Sequence, residues 1–146
     1  MEIVGFNLAK LYIEKKGNVT GKWSVNTKID IKEVKEEKVK LADDKQVVRL
    51  DFEYTINYEP KLAEIFFKGS IILMDDPKKM KEVINEWSKK KEVLSDIKLQ
   101  IFNSIFYKCN IKALQLEEDI NLPPHLQLPT IKAQESSEKS KASYTG

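Results

Sequence analysis

Twelve consecutive residues alternate almost without a break. From Val47 to Tyr58, Val48, Leu50, Phe52, Tyr54, Ile56 and Tyr58 hold one parity, while Arg49, Asp51, Glu53, Thr55 and Asn57 hold the other. A period of two marks a strand with one buried face and one wet face. At about 3.3 Å per residue it is roughly 40 Å long. A strand of that length with a wet face belongs in a large antiparallel sheet. Glu59-Pro60 then turns the chain.

Three more segments read as its partners. Val4, Phe6 and Leu8 share a parity that Leu11 and Ile13 do not, over Val4 to Glu14. Either a bulge near Ala9 or Lys10 keeps all five on the core side, or both faces of this strand are partly covered. Gly17, Asn18 and Gly21 mark a turn. Trp23, Val25, Thr27, Ile29 and Ile31 alternate with polar residues in a second half-buried strand. Val34 to Asp44 is charge-rich and either extends that strand or forms a long connection. Glu64 to Met74 breaks the rule. Ile65, Phe67, Ile71 and Leu73 lie on one face with Gly69 between them, yet Phe66, Ile72 and Met74 lie on the other. Both faces therefore need cover. Helices supply one side; a partner subunit, a bound chain or a loop of the same chain supplies the other.

Asp75-Asp76-Pro77 opens a helix, with Asp76 as N-cap and Pro77 in the first turn. Met80, Val83, Ile84 and Trp87 form its stripe, and Lys89-Lys90-Lys91 suits the negative end of its dipole. Leu94, Ile97, Ile101, Phe102, Ile105, Phe106 and Cys109 form a wider stripe on a second helix. Ser95 and Asp96 stand at its start, Lys108 near its end, and Asn110 as its stop. Ile111, Leu114 and Leu116 follow, then an acidic triplet, Glu117-Glu118-Asp119, read as a solvated loop. Leu122-Pro123-Pro124-His125-Leu126-Gln127-Leu128-Pro129 is neither helix nor central strand, because its prolines remove donors and fix φ. It reads as an extended strap pinned by its leucines. The architecture expected is α+β: a four-stranded antiparallel meander sheet, two helices packed on one side, and a proline-containing C-terminal strap. Residues 1–132 form one domain, and 133–146, rich in Ser, Lys and Glu, form a disordered tail.

Charge and inventory narrow the chemistry. Twenty-five basic and 23 acidic residues leave a net charge of +2, and Arg49 is the one arginine, so no nucleic-acid footprint is present. No apolar run is long enough to span a membrane. Met1-Glu2-Ile3-Val4 has neither the charged start nor the apolar run of a secretory signal, so a cytoplasmic location is expected. Cys109 is alone, which rules out a disulfide framework or zinc knuckle and suggests a buried small hydrophobe. The five glycines are scattered, so no phosphate loop exists. Asp75 and Asp76 serve a helix start better than a metal. His125 is the only histidine and reads as packed or locally hydrogen-bonded; a catalytic role would require a pocket joining it to an acidic group such as Glu117. No catalytic residue, cofactor or metal is expected. What the chain has in excess is apolar surface, which marks binding.

The order of elements over roughly residues 4–131 resembles the SecB-like family of export chaperones. Ile65-Phe66-Phe67-Lys68-Gly69-Ser70-Ile71 leads into a short helix and then a longer one, followed by Ala113-Leu114-Gln115-Leu116 and the proline strap. Lys108-Cys109-Asn110-Ile111-Lys112-Ala113-Leu114 with Leu122-Pro123-Pro124-His125 resembles archaeal proteins of uncertain role placed near that family. The resemblance implies a tetramer built as a dimer of dimers that binds non-native polypeptides along hydrophobic grooves without ATP. Bacterial members are usually strongly acidic, and their tail contacts the export motor; this chain is near neutral, and Ser136 to Gly146 has no such match. Some members instead guard an antitoxin. The surface expected to hold polypeptide, or to join subunits of a dimer or tetramer, comprises Trp23, Phe66, Ile72, Met74, Leu122, Leu126 and Leu128. The rival readings are an assembly subunit with one folded partner and, less favoured, an enzyme.

Overall fold

In the computed structural model, which describes residues 1–38 and 44–131, four long strands precede two helices. The strands are β1 (Glu2–Lys15), β2 (Ser24–Glu37), β3 (Gln46–Glu59) and β4 (Ala63–Asp75), and the helices are α1 (Pro77–Lys90) and α2 (Ser95–Asp119). The charge-rich stretch after Val34 thus extends β2 to Glu37. The expected tail lies outside the described residues.

The strands form one antiparallel sheet in the order β1-β4-β3-β2. The meander expected from the sequence holds for β2, β3 and β4, whereas β1 departs from it and pairs with β4 at the far edge. Eight residues, Lys16 to Trp23, carry the chain from one edge to the other. They are tied to the β3–β4 turn by hydrogen bonds from the Lys16 and Gly17 amides to the Leu62 carbonyl, at 2.8 and 3.1 Å. Crossing three strand spacings takes about 14 Å, well within the reach of eight residues. β4 is a central strand flanked by β1 and β3, and its second apolar face, Phe66, Ile72 and Met74, is half-buried on the open side of the sheet.

One face of the sheet carries the core. Val48, Leu50, Phe52, Tyr54, Ile56 and Tyr58 of β3 and Ile65, Phe67, Ile71 and Leu73 of β4 are all at most 1% exposed. Met80, Val83 and Trp87 of α1 and Ile97, Ile101, Ile105, Cys109 and Ala113 of α2 join the same cluster. Asp76 caps α1 as its sequence indicates, accepting a hydrogen bond from the Lys79 amide at 2.9 Å. Leu8, Gly69, Phe52 and Ile31 form one row across all four strands. The Phe52 ring fills the space beside Gly69: a Cβ there would sit 2.8 Å from it and 2.5 Å from the Asn7 carbonyl oxygen. Both edge strands bulge directly after this row, β1 at Ala9 and β2 at Lys32. An extra residue bends and twists a strand, and it resets the side-chain parity. The Ala9 bulge keeps Leu11 and Ile13 in register with the buried Phe67 and Ile65, and the Lys32 bulge turns Val34 into the core. A further bulge, at Val4, was not expected. It leaves Val4 49% exposed and aims Ile3 inward instead.

Helix α2 differs most from the sequence reading. Asn110 does not end it; the helix continues through the acidic triplet to Asp119, and Asn121 takes the positive φ of 59° that ends it. Ser95 does not cap its start, because the N-cap is Leu94 with no side-chain hydrogen bond. The buried stripe is also narrower. It contains every fourth residue from Ile97 to Glu117, while Phe102 is half-buried and Phe106 is 37% exposed.

Candidate functional site

The strap after α2 is anchored by a buried polar cluster. The helix turns off at Asn121, and the Leu122 amide donates back to the Glu117 carbonyl at 2.8 Å. Leu122 then inserts into the core at 5% exposure. The Tyr58 hydroxyl donates to the Pro123 carbonyl. Two residues on, the backbone amide of His125 donates to Glu117 Oε1 at 2.8 Å, and the ring Nδ1 lies 2.6 Å from Oε2. Asn110 Oδ1 accepts from the Tyr54 hydroxyl and lies 2.9 Å from His125 Nε2. Both ring nitrogens thus face oxygen atoms, Nδ1 the two Glu117 carboxylate oxygens and Nε2 the Asn110 side-chain oxygen. The imidazole is 0% exposed and the Glu117 side chain 1%. A buried carboxylate is costly unless it is paired and hydrogen-bonded, and here the strap supplies the partner.

This cluster corrects the reading of Glu117 as part of a solvated loop. Asn110 and Glu117 are seven residues apart, two helical turns, so they share a face once the helix runs through them. His125 is packed and hydrogen-bonded, but to residues 8 and 15 positions away and not locally. It does join Glu117, and the imidazole is fully enclosed. Burial pushes the Tyr54 and Tyr58 hydroxyls above their usual range, so both stay protonated donors. Cys109, deeper under α2, is buried as expected, and that burial pushes its thiol up to about 12. No group of three or more metal-ligating side chains occurs among the described residues.

The seven residues read from the sequence as one binding or subunit face lie on two sides of the sheet. Trp23 is 36% exposed and stacks on Tyr58 at 5.6 Å between ring centroids, on the helix-bearing side. Leu122 is an anchor in the core, while Leu126 and Leu128 on the strap are 41% and 47% exposed. Phe66, Ile72 and Met74 point to the opposite, open face and are half-buried. Their cover comes from the neighbouring strands. Lys10 Nζ lies 5.6 Å from the Phe66 ring centroid, and Gly5 leaves room for the Ile72 side chain. Around them the open face is largely a charge ladder. Lys32 pairs with Glu53, Lys35 with Glu33 and Asp51, and Arg49 with Glu37 and Asp51.

The most exposed apolar residues were not singled out from the sequence. Leu99 and Tyr107 of α2 are 72% and 70% exposed and Ile131 at the end of the strap is 80% exposed, while Ile111, which the sequence did mark, is 44% exposed. Leu99, Tyr107 and Ile111 stand on a row of every fourth residue, opposite the buried stripe. The available signal was that α2 is apolar on more than one side, so a single-sided amphipathic reading could not account for it.

No family model matches the chain, and no curated protein matches it in sequence. In structure it is similar to a SecB-like chaperone of Mycobacterium tuberculosis in complex with a ChAD peptide from an antitoxin. The TM-score is 0.50 and the identity 14%, over 91% of this chain and 91% of that one. At that identity the likeness is one of fold: an antiparallel sheet backed by two helices.

Proposed function

We propose that this chain is a polypeptide-binding protein that holds extended or non-native segments through apolar contacts, with no nucleotide-driven step. One observation carries the reading. Large apolar side chains stand out on the outer row of α2 and along the strap, Leu99, Tyr107, Leu126, Leu128 and Ile131 among them. Side chains exposed on this scale are characteristic of interaction surfaces. The likeness of fold to a chaperone solved with a bound peptide supports it. The enclosed His125 fits a binding protein better than an enzyme. No described helix is long and apolar enough to cross a membrane, and we place the action in the cytoplasm.

The same observation favours self-association. Residues four apart form a ridge, and ridges of this kind pack into the grooves of a facing helix. The outer row of α2 is therefore the surface through which we expect a dimer or tetramer to form. A single native partner would use the same ridge.

The test combines mass with protection. Light scattering gives the solution mass, and a thermally unfolding model protein is then heated with the chain in the absence of nucleotide. An oligomer that suppresses aggregation at near-stoichiometric ratio is the expected result. A chain that leaves aggregation unchanged at tenfold excess overturns the chaperone reading.

A further inference from the structure

We propose that the strap is a resident peptide: Pro123 to Pro129 lie in the channel that an extended apolar segment of a bound polypeptide would take, and the Glu117–His125 contact is the latch that holds them there. The inference rests on the polypeptide-binding reading and adds to it a second surface, the one beneath the strap.

Three features carry it. First, the channel grips the strap by its main chain. The Tyr58 hydroxyl donates to the Pro123 carbonyl, and Glu117 accepts the His125 amide. Main-chain contacts of this kind hold extended peptides while tolerating varied side chains. Second, three prolines in eight residues restrict the strap, which bends at His125 and Leu126, and leave it little freedom to lose on docking. It occupies the channel without joining the sheet, so the channel accepts an extended chain that has few amides to offer. Third, apolar burial does not hold the strap beyond Leu122. Leu126 and Leu128 are about half exposed, and an open cleft of about 400 Å³ runs beside Leu128, lined also by Leu114, Glu118, Leu122 and Pro124. The polar latch therefore decides whether the strap stays. When it leaves, water reaches Glu117, so opening strands no buried charge.

A site closed by its own strap binds with an apparent Kd raised by the inverse of the open fraction. The experiment uses full-length chains and a fluorescently labelled, reduced and carboxymethylated unfolded protein as probe. His125→Ala removes the ring side of the latch. The double variant Pro123→Gly/Pro124→Gly keeps the latch and raises the entropy of the freed strap; it carries the test if circular dichroism finds the first variant unfolded. Both are expected to bind the probe about tenfold more tightly than the wild type, with the exposed control Lys78→Ala on α1 unchanged. A synthetic peptide of residues 121–131 in excess should displace the probe from His125→Ala. Weaker or unchanged affinity in both variants overturns the latch, because the strap is then a fixed wall of the site, and so does a peptide that fails to compete. Those results leave polypeptide binding itself standing, whereas absence of probe binding by wild type and every variant overturns both.

Discussion

His125 Nδ1 lies 2.6 Å from Glu117 Oε2 and 2.9 Å from Oε1, with the His125 backbone amide on the same carboxylate. One side chain at the end of α2 thus fixes both the ring and the main chain of the strap. Glu117→Gln keeps the shape and removes the charge. Hydrogen bonds to charged groups are worth about 1.5–3 kcal/mol, so the variant should lose about that much stability in urea unfolding. An unchanged midpoint would show that the ring does not face a charged partner.

The Phe52 ring over Gly69 sets a second expectation. A methyl group at position 69 would collide with that ring and with the Asn7 carbonyl on the neighbouring strand. The carbonyl belongs to the backbone of β1 and moves only if the strand moves. Gly69→Ala should therefore cost about 1–3 kcal/mol, the usual range for overpacking. The double variant Gly69→Ala/Phe52→Leu should fail to restore full stability, because the β1 contact remains. Thermal unfolding of both, beside Phe52→Leu alone, measures this.

What the sequence disclosed depended on whether a signal was local. The alternation of Val47 to Tyr58 fixed β3 and its buried face, and Asp76-Pro77 fixed the start of α1, because each is written in neighbouring residues. The place of β1 beside β4 was not local. The two-sided apolar pattern of Glu64 to Met74 was read as a demand for cover on the open face, where Phe66, Ile72 and Met74 are half-buried. Asn110 looked like a helix end because Asn favours ends, yet its side chain bonds Tyr54 and His125, partners 56 and 15 residues away. Tertiary contacts outweighed propensity there. Glu117 was lost with it, since a charged triplet past a helix end is normally solvated.

The two opposite rows of α2 should respond differently. Ile101 is 0% exposed and Leu99 is 72% exposed. Ile101→Ala should cost about 2–5 kcal/mol, the lost transfer free energy plus a cavity. Leu99→Ala should stay within about 0.5 kcal/mol in the isolated chain. Chemical denaturation at low protein concentration separates them, and equal losses would mean that the helix is rotated from the position described.

Alkaline stability should track the buried thiol. Below about pH 8.5 Cys109 is neutral in the folded and unfolded chains alike. Above it the unfolded thiol ionises, while burial holds the folded one protonated up to about 12. The unfolded state then binds fewer protons, so stability falls as pH rises across that window. Above about pH 10 Tyr54 and Tyr58, also raised by burial, steepen the fall. Between pH 8.5 and 10, Cys109→Ala should flatten the slope of unfolding free energy against pH. An unchanged slope would mean that the thiol ionises in the folded chain, and it would then react with thiol reagents without unfolding.

Two apolar surfaces compete to join subunits, and lysine substitutions separate them. Ile72 is half-buried on the open sheet face, opposite Gly5 on one strand and Arg49 on the other, so little of it is left to bury. Tyr107 is 70% exposed on the outer row of α2, with Ile111 one turn after it and Leu99 two turns before it on that row. A charge placed in the buried centre of an interface is poorly tolerated, because interface cores are depleted in charged residues. Tyr107→Lys should therefore lower the mass found by light scattering, leaving the unfolding of the separated chain within about 0.5 kcal/mol of wild type. Ile72→Lys should leave the mass unchanged. The reverse pattern would move the subunit contact to the open sheet face and free the α2 ridge for polypeptide, and a monomeric wild type would remove the self-association reading altogether.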